Sequence, residues 1–330
     1  MLRPESARAR PGRGGTPSPY RVVVDWAPAY ELVTSLHAFL GRQHHRILEL
    51  GTGWAARVRK LLAGESCPAL NAAQTGRWEL PPALLVQQAP GDRAPDGFLD
   101  WLRSLSPGQI YEHLAPYIPD GGPPLPKDLA GWRDAMVGLL AEWNDLYFSR
   151  VDPAVLSGLA AEASARRTEA GEAEPIDFVE KVTGGLRVEP TPDLKTVLLV
   201  PQHHFRPINI HEDYPALMVI CYPAEVLPAA PGEPPATLLR LSRALGDGSR
   251  LRILRFLAGR PRTFGEVARF SGLAKSTVHQ HMVALRAAGL VLVHCGPRVP
   301  ERYSFRPAAL DEARAGLGVF LLTPADTGPH

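Results

Sequence analysis

Long apolar runs, paired cysteines and lysine are scarce in this sequence, and each shortage removes a class of protein. No uninterrupted apolar stretch approaches the roughly 18 residues that a membrane-spanning helix needs. Residues 1–20 are rich in Arg, Pro, Gly and Ser, hold no signal-type apolar core, and read as a disordered tail. Cys67, Cys221 and Cys295 lie far apart and form neither a disulfide framework nor a Cys-x-x-Cys metal site, so a reducing, cytoplasmic setting is expected. Lysine occurs only at Lys60, Lys127, Lys181, Lys195 and Lys275, so arginine carries most of the positive charge. No Ser/His/Asp elbow, P-loop or His-Glu-x-x-His pattern is present.

What is present is a chain of two unlike halves. Of its 330 residues, 45% are hydrophobic and 21% charged, ordinary for a globular protein long enough for two domains. The net charge of +2 conceals an asymmetry. Residues 236–330 hold 14 Lys/Arg against 6 Asp/Glu, whereas residues 21–235 hold 18 against 27. A basic block beside an acidic body is expected when one part meets a polyanion and the other does not.

The stretch "PAEVLPAAPGEPPA", residues 223–236, marks the boundary, because its prolines can neither continue a helix nor pair in a central strand. Upstream, residues 21–25 read as a strand and the apolar spacing over 27–40 as an amphipathic helix. Further helices are expected near 53–63, 95–105, 107–117, 127–148 and 153–168. The short β-rich runs "LKTVLLVPQ", "FRPINI" and "ALMVICYP" predict a small antiparallel sheet within 186–222.

Past the linker, Asp247 is placed to cap a helix with Leu251, Ile253, Leu254 and Leu257 on its apolar face, ended by Gly259 and Pro261. Thr263 and Glu266 form the capping box of a second helix carrying Val267, Phe270 and Leu273 around a turn at Gly272. "AKSTVHQHMVALRAAGL", residues 274–290, follows. Its Val278, Met282 and Leu285 fall at i, i+4 and i+7 and face inward, leaving Lys275, Ser276, Thr277, His279, Gln280 and Arg286 outside. A short helix with small polar and basic groups at its free N-terminal end suits major-groove readout. Residues 291–294 and 302–305 alternate as two strands joined by "CGPRVPE", a hairpin that would carry Arg298 and Arg302 toward a phosphate backbone or minor groove. Helix, turn, helix and hairpin make a winged helix.

"LSRALGDGSRLRILRFLAGR" and "LAKSTVHQHMVALRAAGLV" closely resemble the ArsR-type winged-helix transcriptional regulators, over roughly residues 237–306. The resemblance implies a homodimer on a pseudo-palindromic operator, with helices near 237–245 and 308–320 at the dimer contact. It puts Lys275, Ser276, Thr277, His279 and Gln280 in the places of DNA-contacting residues. Two places depart from the pattern. Ala274 stands where the family has a Ser N-cap, so the recognition helix is expected either to begin one residue later or to be capped by Ser276. Thr263 and Gly265 stand where metal-sensing members carry Cys-x-Cys, and Asp311 and Glu312 have no histidine partner, so no metal is expected at those sites. "VDWAPAYELVTSLHAF" and "VPQHHFRPINI" are similar to the long N-terminal region of some two-domain members, a likeness that implies no activity.

The expected organisation is therefore a tail over 1–20, a helical regulatory or oligomerisation domain over 21–222, the linker over 223–236, a winged-helix DNA-binding domain over 237–322, and a tail over 323–330. The fold class is mainly α (α+β). No cofactor is expected, and a small-molecule effector is left open. His203, His204 and His211 invite a metal reading, but adjacent histidines in a strand point to opposite faces; the same applies to His44 and His45. His281 is read as a partly buried, hydrogen-bonded side chain. Trp26, Trp54, Trp78, Trp101, Trp132 and Trp143 are read as core, with an apolar ligand pocket as the sharper possibility.

The rival is an enzyme with an appended winged helix, concretely an S-adenosylmethionine-dependent methyltransferase. "ILELGTGWAARV", residues 47–58, has the apolar run and glycines of a cofactor turn. A cofactor unit also needs a second strand ending in an acid roughly 20 residues on, and "LLAGESCPALNAAQTGRWELPP" offers none. Gly51 and Gly53 are read instead as a turn between helices.

Overall fold

The computed structural model describes residues 20–74, 82–118, 125–227, 229–230, 232–297 and 299–322. Arg298, Trp78 and nearly all of both expected tails lie outside the described residues. Strand β1 (Arg21–Val24) leads into helices α1 (Pro28–Leu40), α2 (Gly51–Leu62), α3 (Pro68–Ala73), α4 (Pro82–Gln88), α5 (Pro95–Ser104), α6 (Pro107–Leu114), α7 (Leu129–Leu146), α8 (Pro153–Ala170) and α9 (Pro175–Thr183). Proline opens α1, α3, α5, α6, α8 and α9, where its missing N–H costs nothing and its fixed φ suits the first turn. A proline-rich chain is thus compatible with a helical body.

Strands β2 (Leu186–Val188), β3 (Thr196–Gln202), β4 (Ile210–Tyr214) and β5 (Leu217–Pro223) follow. One sheet has the order β1-β3-β5-β4, with β1, β3 and β5 parallel and only the β4–β5 pair antiparallel. The expectation of a purely antiparallel sheet is corrected in that respect. β5 is apolar on both faces and takes an inner place between β3 and β4, while the polar β4 (IHEDY) takes the edge.

The sheet divides two cores by its alternation. Leu198, Val200, Val219 and Cys221 face the bundle containing α1, α2, α5 and α7. Val197, Leu199, Met218, Ile220 and Tyr222 belong to a second core with α8, α9 and the C-terminal helices. Trp54 and Trp143 are buried, and their ring N–H groups donate to the Tyr147 hydroxyl (2.8 Å) and Ser35 Oγ (2.9 Å). These two tryptophans are core.

"ILELGTG" forms no strand. Residues 45–50 are turn and bend, and Gly51, at φ +66°, starts α2. His203 and His204 also lie outside a strand, just past the end of β3, both buried. Their main-chain N–H groups and the His204 ring bond to the carboxylate of the fully buried Glu31, and Tyr147 meets the other His204 nitrogen at 2.7 Å. His45 places its ring nitrogen 3.0 Å from the Ala38 and Phe39 carbonyls at the end of α1. These histidines hold loops to α1, and among the described residues no three His, Cys, Asp or Glu side chains converge as metal ligands. No described helix is long and apolar enough to cross a membrane.

Candidate nucleic-acid interface

The C-terminal region begins with α10 (Ala236–Leu245), α11 (Gly248–Leu257), α12 (Phe264–Ser271) and α13 (Lys275–Ala287), continues with strands β6 (Val291–Gly296) and β7 (Val299–Phe305), and ends in α14 (Ala308–Leu322). Local signals set these limits. Asp247 accepts from the Ser249 and Arg250 N–H groups at 2.8 and 3.0 Å. Thr263 and Glu266 close a reciprocal capping box, and the Thr263 main-chain N–H holds the Glu266 carboxyl down at about 2. Gly272, at φ +66°, makes the tight turn into α13.

α13 starts at Lys275 with Ala274 as an uncapped N-cap. Neither a later start nor a cap from Ser276 is found, because the backbone already turns helical at Lys275. Val278, Met282 and Leu285 are buried with Ile253, Leu254, Leu257 and Val267. Leu251 does not join them: it is 47% exposed, on the outer side of α11. Phe270 is also exposed, at 49%, and stacks flat on Phe256 with ring centres 4.0 Å apart. Leu273, in the turn, is exposed as well, so Val267 alone of the three expected apolar residues of that segment is buried.

The outer face of α13 is divided along its length. Lys275, Ser276, His279 and Gln280 at the N-terminal half are exposed, and Thr277 is half-buried. The C-terminal half is part-buried: Val283, Ala284, Arg286 and Ala287 are all half-buried. Val283, Ala284 and Ala287, together with His279 and Gln280 of the N-terminal half, line a groove of about 340 Å³ shared with Arg46 and Pro207 from the upstream region. Arg240, Arg243 and Arg250 also line that groove, and no carboxylate does. Arg286 is half-buried and lines a second cavity between α13 and the upstream region. His281 is half-buried. Arg302 is exposed on β7 opposite His294. Thus Lys275, Ser276, His279 and Gln280 share one open surface with Thr277 at its edge, Arg302 stands on the wing, and Arg286 lies apart. Arg46, Arg243 and Arg250 were not singled out by sequence; the arginine-rich "LSRALGDGSRLR" carried a signal for two of them, whereas Arg46 lies 233 positions before His279.

The wing is not a free hairpin. β2 pairs in parallel with β6, matching Leu186 to Val293 and Val188 to Cys295, so the hairpin becomes a three-stranded sheet. The Val293 N–H donates to Gly185 O at 2.8 Å and the Glu189 N–H to Cys295 O at 2.7 Å. On the other side, Arg262 bridges Tyr303. His294 sits between Glu189 (2.9 Å) and Ser304 (2.8 Å).

Arg240 ties the regions together. Its Nε donates to the Ala287 carbonyl at the end of α13 at 3.2 Å, and its guanidinium pairs with Glu49, which also takes Arg206 at 3.1 Å. Burial pushes the Arg240 guanidinium down to about 10, still cationic at neutral pH.

Residues 245–294, under a sixth of the chain, match a helix-turn-helix domain family. A winged helix-turn-helix domain is therefore present, and with it a surface of the kind that binds nucleic acid. No curated protein and no solved structure matches the chain.

Proposed function

We propose that this chain is a DNA-binding transcriptional regulator of the ArsR type, acting in the cytoplasm as a homodimer on a pseudo-palindromic operator. One observation carries the reading: the N-terminal half of α13 presents Lys275, Ser276, His279 and Gln280 to solvent while its inner face is locked into a core. That half enters the major groove, where Gln280 and Ser276 address base edges and Lys275 a phosphate or base. Thr277 sits at the edge of the contact, and Arg302, together with Arg298 from outside the described residues, supplies phosphate contacts. The acid-free groove of Arg46, Arg243 and Arg250 seats the neighbouring phosphate backbone, which brings the upstream region to the DNA.

Residues 21–222 serve as the regulatory and oligomerisation part. The dimer contact falls on α10 and α14, where Leu239, Leu310, Leu317 and Leu321 are exposed. Selection of bound DNA from random duplexes with the full chain tests the reading: enrichment of an inverted repeat is expected, and recovery of unselected sequence overturns it.

A further inference from the structure

A cavity of about 360 Å³ lies where the upstream region, α10, α13 and α14 meet. That is small-molecule size, too small to admit a duplex. Leu238, Leu241 and Ala309 give it apolar walls, and the exposed Lys181 and Thr237 in its lining leave it open to solvent.

Its polar lining is unbalanced. Arg206, Arg240, Arg286 and Arg306 all contribute. Arg206 and Arg240 share the carboxylate of Glu49, Glu225 stands near Arg206, and Arg306 pairs with Glu312, so three carboxylates face four arginines and Lys181. Arg286 has no acidic partner among the described residues. The Nε atoms of Arg206 and Arg306 are buried without a hydrogen-bond partner, as is Asn209 Oδ1. Arg306 is 4% exposed. Buried guanidinium groups with spare donors favour an oxyanion, and the apolar walls favour one with a hydrocarbon body.

We propose that this cavity binds a small organic oxyanion with an apolar body, held by Arg206, Arg240 and Arg286 in competition with Glu49. Its role as an effector rests on the regulator reading above. An anion that takes Arg240 from Glu49 loosens the bond between the upstream region and the Ala287 carbonyl of α13, and thereby couples occupancy to the recognition helix.

Calorimetric titration of the full chain, without DNA, tests the binding separately from operator recognition, so either can fail alone. The probes are benzoate, phenyl phosphate and the neutral benzamide. Saturable binding of benzoate or phenyl phosphate but not benzamide is expected, and the tighter of the two identifies the head group. Arg286→Gln weakens that binding about tenfold or more, and Glu49→Gln tightens it by freeing two guanidinium groups. A folding defect does not produce the second effect. Oxyanions binding no better than benzamide, unchanged affinity in R286Q, or weaker affinity in E49Q overturns the proposal.

Discussion

Arg240 Nε donates to the main-chain carbonyl of Ala287 at 3.2 Å, placing a cation on the unsatisfied carbonyl end of α13. The other end of the same guanidinium is held by Glu49, almost 200 residues earlier in the chain. Because Arg206 bonds the same carboxylate, one side chain neutralises two largely buried cations. Glu49→Gln keeps the shape but removes the charge. It should destabilise the chain by about 2 kcal/mol, less than the roughly 3–5 kcal/mol of a fully enclosed pair. Urea unfolding measures this, and an unchanged midpoint would show that the bridge contributes nothing to holding the regions together.

Lys275 and Gln280 are exposed and make no side-chain hydrogen bond or ion pair to another described residue, which fits the proposed role of reading DNA rather than packing. Lys275→Ala with Gln280→Ala is expected to leave stability within about 0.5 kcal/mol. In gel-shift titrations the pair should lose operator preference. Gln280→Ala alone should relax discrimination at one base position by about 1–3 kcal/mol. Sequence preference retained by the double variant would place the reading surface elsewhere.

Where a signal was local, the sequence showed it. The Asp247 cap, the Thr263–Glu266 box and the inward Val278, Met282 and Leu285 all depend on residues within a turn or two of each other, and all stand in the structure. What depended on partners far along the chain was hidden. β2 meets β6 across about 105 residues, and nothing in "LRV" announces a wing partner. The parallel sense of β1, β3 and β5 was equally invisible, since alternation reports which faces are buried and not which strand lies alongside. Leu251 and Phe270 misled for another reason. Both fit a helical apolar face, yet that face is wider than the core it covers, and its edge stays in solvent.

Gly185 is where the upstream region joins the wing. Its φ is +132°, and a Cβ there would sit 2.6 Å from the Val291 carbonyl oxygen. The obstacle is backbone, which cannot rotate away. Gly185→Ala should therefore cost about 3 kcal/mol and detach β2 from β6. Amide exchange at Val293 and Glu189 would report the loss of that pairing, and protection at parental level would contradict it.

His203 is 7% exposed, and burial, with Arg206 and His204 nearby, pushes its imidazole down from 6.5 to about 4. Between those values the unfolded chain binds the proton and the folded chain does not, so stability falls as pH drops through that window and is fully present above it. Burial lowers the half-buried His44 in the same direction. Glu31 acts at lower pH: hydrogen bonds from His204 and the His203 N–H hold its carboxyl below the ordinary range against burial, so its contribution is lost only under more acidic conditions. His203 alone should remove about 2 kcal/mol by pH 5. Urea midpoints at pH 7 and pH 5 measure this, and His203→Gln should flatten the difference.

α14 presents two unlike faces. Ala309 and Ala313 are buried, while Leu310, Leu317 and Leu321, spaced i, i+7 and i+11, form an exposed stripe, with Leu310 at 50% and Leu321 at 69% exposure. In the proposed dimer, this apolar stripe on α14, beside the exposed Leu239 of α10, is where a second copy of the chain would add its own leucines. Leu310→Glu with Leu317→Glu changes only solvent-facing positions, so the fold should survive. Sedimentation should then shift from dimer to monomer. Affinity for a two-half-site operator should fall toward that for one half-site, because the second recognition helix no longer arrives with the first. A parent chain that sediments as a monomer, or a double variant that still dimerises, would remove α14 from the interface.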